Sequence, residues 1–194
     1  MSPPAPLLPR ALEPGMTVAL VAPSSHLFEP ERYRIAEEVV RSLGLEPRLA
    51  VHATDQRGYL AGTDADRAAD LNHAFSDPAI DAVWCLRGGY GALRILPLLD
   101  FEKIRSNPKV FLGYSDITAL LNAIRQETGL ITFHGPVAAS NLQPYTIANL
   151  RRATMSTFAP CRYARASRWT RRWCSWATAS MRPSIAGTIT RALT

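Results

Sequence analysis

Beyond residue 150 this chain of 194 residues has no aspartate, glutamate, lysine or histidine. Residues 1–150 hold 13 basic against 16 acidic side chains, a net −3, whereas residues 151–194 hold nine arginines and no acid, a net +9. The basic character therefore belongs to a tail and is no nucleic-acid signature for the rest of the chain. Cysteine is scarce. Two of three, Cys161 and Cys174, lie in that tail and Cys85 sits in an apolar run, which excludes a disulfide framework and a cysteine metal site. Long apolar runs are also missing, and Met1-Ser-Pro-Pro-Ala-Pro-Leu-Leu-Pro9 lacks the charged start and apolar stretch of a signal peptide. A cytoplasmic protein without membrane contact is expected.

The tail itself sustains no helical or strand period, and it concentrates Trp169, Trp173 and Trp176 among its arginines. Three readings compete: a basic binding arm, a disordered extension, or an out-of-frame translation replacing a genuine C-terminal part. Binding arms mix lysine with arginine, and disordered tails favour Glu, Lys, Gln and Pro, so the third reading fits the composition best. The chain accordingly divides into an extension over residues 1–13, an α/β domain over 14–150 and an irregular tail over 151–194.

What is present within 14–150 is an alternation of strand and helix signals. Apolar segments at Met16–Ala22, Ala82–Leu86, Val110–Leu112 and Leu130–Phe133 read as strands, with a further strand placed at Pro47–Ala50, and Glu31–Leu43, Thr63–Phe75, Ala92–Leu96, Phe101–Ile104 and Asp116–Thr128 read as helical segments. Thr63 with Asp66 forms a capping-box-like start, and Gly44 and Gly129 close two of the helices. An α/β fold with a mostly parallel sheet flanked by helices is expected, its ligands gathered at the C-terminal strand ends. Ser24, Gly89, Ser115 and His134 fall at such ends.

The most informative stretch is Lys109-Val-Phe-Leu-Gly-Tyr-Ser115-Asp116-Ile-Thr118, which drives an apolar strand into a serine and then into a helix. A serine at that corner exposes its hydroxyl beside free helix amides, as a nucleophile elbow does. Serine is equally at home as a helix cap, and Ile117 stands where G-x-S-x-G has its second glycine. Earlier, Arg87-Gly88-Gly89-Tyr90-Gly91 follows another strand. It matches neither the dinucleotide pattern nor the lysine-bearing phosphate loop. It reads as a tight turn or as one side of an oxyanion hole, with the Gly89 amide paired to that of Asp116. Arg87 suits a substrate carboxylate or a surface ion pair. No general base stands out: His134 is a lone histidine beside Gly-Pro, and His26, His52 and His73 have no acidic partner at a motif spacing.

Several stretches in order resemble the N-terminal part of the LD-carboxypeptidase family, serine peptidases that include murein tetrapeptide carboxypeptidases and microcin C immunity hydrolases. They are Val18-Ala-Leu-Val-Ala-Pro-Ser-Ser25, Gly58-Tyr-Leu-Ala-Gly-Thr63, Arg67-Ala-Ala-Asp-Leu-Asn72, Trp84-Cys-Leu-Arg-Gly-Gly-Tyr-Gly-Ala92, Gly113-Tyr-Ser-Asp-Ile-Thr118 and Thr132-Phe-His-Gly-Pro136. The resemblance implies a flavodoxin-like or class I glutamine amidotransferase-like domain. It implies Ser115 as nucleophile, the Gly89 and Asp116 amides as oxyanion hole, and Arg87, Gly88 and Tyr90 as substrate-binding positions. It further implies a cytoplasmic homodimer acting on a muropeptide or small peptide-like substrate with no metal or cofactor. In that family the triad's glutamate and histidine come from a second domain. The tail has neither residue, so this chain alone is expected to be inactive or nearly so. Hydrolysis of an aminoacyl-nucleotide is a second expectation, and a non-enzymatic α/β fragment or binding module a third.

Overall fold

A computed structural model of the chain describes residues 4–156. The tail from 157 onward, with the arginine-rich reading attached to it, lies outside the described residues. Five parallel strands, β1 (Thr17–Val21), β2 (Glu46–Leu49), β3 (Ala82–Cys85), β4 (Val110–Gly113) and β5 (Phe133–His134), form one sheet in the order β2-β1-β3-β4-β5. The connecting helices are α1 (Glu31–Ser42), α2 (Asp64–Ser76), α3 (Ala92–Ile95), α4 (Phe101–Ser106), α5 (Thr118–Thr128) and α6 (Pro144–Thr154).

Side chains alternate across the pleat, which splits the core in two. Val18, Leu20, Trp84, Val110 and Leu112 pack with Ala36 and Val40 of α1 and Leu150 of α6 on one face. Ala19, Val21, Val83, Cys85 and Phe111 pack with Leu71 and Phe75 of α2, Ile104 of α4 and Leu120 and Ile124 of α5 on the other. Strands buried on both faces read as continuous apolar runs, which is why the sequence marked them without alternation. The fold is the expected α/β class.

Local signals act where they stand. Thr63 caps α2 in a complete capping box with Asp66, and Gly129 ends α5 in the left-handed conformation. The expected strand at Leu130–Phe133 is displaced to Phe133–His134. The backbone on either side of Leu130 pairs with the N-terminal segment instead, Leu7 N–H donating to Gly129 O and Ile131 N–H to Leu7 O, each at 2.8 Å. The helix expected from Asp116 starts at Thr118, after a 3-10 turn over Ser115–Ile117. Helix α6, opened by Pro144, runs through residue 150, and Leu12 N–H donates to Thr154 O at 2.8 Å, so chain on both sides of 14–150 joins the sheet's base.

The order reverses between β1 and β3, whose onward connections go to opposite faces. The C-terminal ends of these strands therefore open a crevice, the usual ligand position of such sheets. Three loops meet there.

Candidate active site

The loop after β4 carries Ser115, the only non-glycine among the described residues with positive φ, at 65°. A left-handed serine costs on the order of 1–3 kcal/mol and persists only where its surroundings dictate it. Tyr114 before it is extended and Ile117 after it is buried, so the chain turns sharply and leaves Ser115 exposed. The cap reading of Ser115 is not realised: neither the 3-10 turn nor α5 has a side-chain cap bond.

The glycine loop after β3 leans directly on this corner. A Cβ added to Gly88 would stand 2.9 Å from Ser115 Cβ and 3.2 Å from both Ser115 Oγ and the Asp116 amide nitrogen. Gly88, not Gly89, is thus the glycine whose missing side chain permits the approach. Gly89 has φ 107° and backs onto the loop after β1, where an added Cβ would be 2.8 Å from Ser25 Cβ. The Gly88 carbonyl accepts from Ser25 N–H at 3.2 Å. No described peptide is cis, and a trans peptide points its C=O and N–H in opposite directions, so the Gly89 N–H faces away from the β1 loop. Tyr90, exposed at the loop's tip, donates its N–H to Ser25 Oγ at 3.2 Å.

Asp116 contributes a side chain as well as an amide. Its Oδ2 accepts from Ser24 Oγ at 2.8 Å and from Ala92 N–H at 2.9 Å. Arg67 of α2, only 2% exposed, braces the same loops from beneath: Nη1 donates to Pro23 O at 2.7 Å and Gly91 O at 3.1 Å, and Nη2 to Asp64. Burial lowers the Arg67 pKa, and the adjacent Asp64 carboxylate opposes that shift. Asp64 also takes both Nε and Nη2 of Arg94. Ser25, Arg67 and the Asp116 carboxylate are not among the residues the sequence offers as functional, and Ser24 is offered only as a residue at a strand end. Their further signal is their presence in three of the family-like stretches, Val18–Ser25, Arg67–Asn72 and Gly113–Thr118.

Arg87 forms no surface ion pair among the described residues. Its guanidinium lies 4.4 Å over the exposed Phe28 ring and 5.9 Å from the Tyr59 ring, and Nη1 donates to His26 O at 3.2 Å. It stands on the β1 side of the glycine loop. Cys85 is fully buried, and desolvation pushes its thiol pKa far up, so it is no nucleophile.

Two histidines have acidic neighbours that no motif spacing marks. His52 Nδ1 pairs with Asp70 Oδ1 at 2.9 Å, and its backbone N–H donates to Asp70 Oδ2 at 3.0 Å; the hydrogen bond raises the imidazole pKa above its ordinary value. His73 lies 3.8 Å from Asp77 at the i,i+4 spacing of a helix end. Both acids went unrecognised because neither spacing belongs to a catalytic motif. His134, exposed at the end of β5, faces the Tyr114 ring edge-on at 6.4 Å. No group of three metal-ligating side chains occurs among the described residues, and no described helix is long and apolar enough to cross a membrane.

Residues 18–135 match the LD-carboxypeptidase N-terminal domain family. A Streptomyces coelicolor protein is 53% identical over 135 residues, covering 68% of this chain and 43% of that one. The murein tetrapeptide carboxypeptidase of Pseudomonas aeruginosa is 38% identical over 147 residues, covering 73% and 46%. A solved structure of the microcin C7 self immunity protein MccF in complex with aspartyl sulfamoyl adenosine superposes with a TM-score of 0.75 at 29% identity, covering 79% of this chain and 48% of that one. The chain spans less than half the length of the curated relatives it matches.

Proposed function

The chain belongs to the LD-carboxypeptidase family, and from that premise we propose that it carries the nucleophile half of a serine carboxypeptidase that cleaves the L,D-peptide bond before a terminal D-amino acid of a muropeptide. The left-handed, exposed Ser115 pressed against Gly88 carries this reading, because a strained serine at a strand–helix corner is the geometry of a nucleophile elbow. Ser115 Oγ attacks the carbonyl carbon while the amides of Gly89 and Asp116 receive the oxyanion. Such donors are typically worth about 3–4 kcal/mol each in the transition state. The amine leaves with a proton, an acyl-enzyme remains, and water releases it. The base comes from outside the described residues. Arg87, Gly88 and Tyr90 are the proposed substrate contacts, Gly88 beside Ser115 and Arg87 on the β1 side of the glycine loop, where its guanidinium suits a substrate carboxylate away from the oxyanion donors. No metal or cofactor enters this chemistry.

The test joins residues 1–154 to the C-terminal half of the Pseudomonas aeruginosa relative and measures D-alanine release from a muropeptide tetrapeptide. Release that Ser115→Ala abolishes supports the reading. A folded chimera whose release is unchanged by Ser115→Ala overturns it. A second reading, hydrolysis of an aminoacyl-nucleotide, draws on the similarity to MccF bound to aspartyl sulfamoyl adenosine. It shares the nucleophile and is distinguished by offering that substrate class to the same chimera. A homodimer and a cytoplasmic site of action belong to the same proposal, checked by sedimentation and by fractionation.

A further inference from the structure

Both halves of the proposed oxyanion hole are held by two adjacent serines on a different strand. Ser24 and Ser25 follow β1, are fully buried and reach the site from 92 and 63 residues away in sequence. Ser25 N–H takes the Gly88 carbonyl, which turns the Gly88–Gly89 peptide so that its N–H leaves on the other side. Ser25 Oγ takes the Tyr90 N–H. Ser24 Oγ donates to Asp116 Oδ2, and the same oxygen accepts the Ala92 N–H that follows the glycine loop. One carboxylate oxygen therefore ties the β1 loop, the end of the glycine loop and the Ser115 corner together.

We propose that the Asp116 carboxylate, anchored by Ser24, is a positioning residue that holds Ser115 in its left-handed conformation and sets the Asp116 amide opposite that of Gly89. The Asp116 side chain is half-buried and hydrogen-bonded at one oxygen by two donors from separate loops. A charged acceptor strengthens both bonds. Its own backbone is the residue after the strained serine. Fixing its side chain at a distant loop thus fixes the ψ of Ser115 and the direction of its own N–H. Removing either partner frees the corner to relax toward negative φ, which the serine prefers. The catalytic meaning of this device rests on the proposed role of Ser115, but the device itself is a statement about backbone geometry.

The experiment is heteronuclear NMR on the full 194-residue chain, reading the intraresidue amide–Hα cross-peak of Ser115, which is strong only for positive φ. Asp116→Asn and Ser24→Ala are expected to lose that strong cross-peak and to shift the amides of Gly88 to Ala92, leaving the resonances of Leu20 and Val83 in place. Ser24→Thr, which keeps the hydroxyl, is expected to retain both signatures. Unchanged Ser115 and glycine-loop signals in Ser24→Ala overturn the proposal, as does a loss of the cross-peak in Ser24→Thr as complete as in Ser24→Ala. If Asp116→Asn fails to fold, the two Ser24 variants decide alone. The readout needs no turnover, so D-alanine release that Ser115→Ala leaves unchanged in the chimera would sink the proposed function and leave this result standing.

Discussion

Gly88 and Ser115 approach so closely that a methyl group on residue 88 would meet the Ser115 Cβ at 2.9 Å. The two residues lie in the loops after different strands, 27 positions apart, and their contact brings the glycine-loop peptide and the strained corner together.

Alanine at Gly88 therefore crowds the corner, while alanine at Gly89 meets Ser25 and also forces a side chain onto a residue with φ 107°. Overpacking costs about 1–3 kcal/mol and a left-handed non-glycine residue a similar amount again. Gly89→Ala is expected to lose more stability than Gly88→Ala in urea unfolding. Equal stability of both variants and the parent chain would contradict the geometry.

Replacing the strained serine tests the cost of its conformation. Ser115→Gly and Ser115→Ala both remove the hydroxyl, but only glycine takes φ 65° without a Cβ penalty. Ser115→Gly is expected to exceed Ser115→Ala in stability by about 1 kcal/mol, after glycine's larger unfolded-state entropy is allowed for. Thermal unfolding of the pair gives the answer.

The His52–Asp70 pair predicts a pH-dependent contribution. Hydrogen bonding to Asp70 raises the folded-state pKa of His52 above its ordinary value of 6.5. The stabilisation is then fully present below that value and is lost as pH rises through the folded pKa. The stability difference between the parent chain and His52→Ala is expected to be larger near about pH 5.5 than near about pH 8. A difference that grows toward alkaline pH would reverse the assignment.

Arg67 is the buried brace beneath the loops. Losing it strands the Pro23 and Gly91 carbonyls and removes a partner of Asp64. Arg67→Met is expected to destabilise the chain by about 3 kcal/mol. Arg67→Lys recovers only part of this, because a single ammonium cannot span the same three acceptors as a planar guanidinium. Denaturant midpoints of the two variants check both statements.

Most of the scaffold is legible in the sequence. Strands buried on both faces announce themselves as apolar runs, and caps such as Thr63 with Asp66 are local chemistry that acts wherever the chain is placed. The strand-to-helix corner at Ser115 and the glycine loop were legible for the same reason. Helix α6 carries its start signal in Pro144 but no further pattern, and β5 starts later than its apolar run because Leu7, more than a hundred residues earlier, bridges Leu130 through the Gly129 carbonyl and the Ile131 amide.

The sequence by itself determined the α/β alternation, the positions of the strand ends and the family resemblance, since these follow from local periodicity and from residues that stay adjacent. Only the tertiary structure decided that Ser24 reaches Asp116, that Gly88 rather than Gly89 abuts Ser115, that Arg87 stacks on Phe28 and that His52 finds Asp70. Each of these pairs is joined by the fold, which brings loops after separate strands, and helix α2 against one of them, within hydrogen-bond and van der Waals range. Interactions of that range carry no trace in the spacing of residues along the chain.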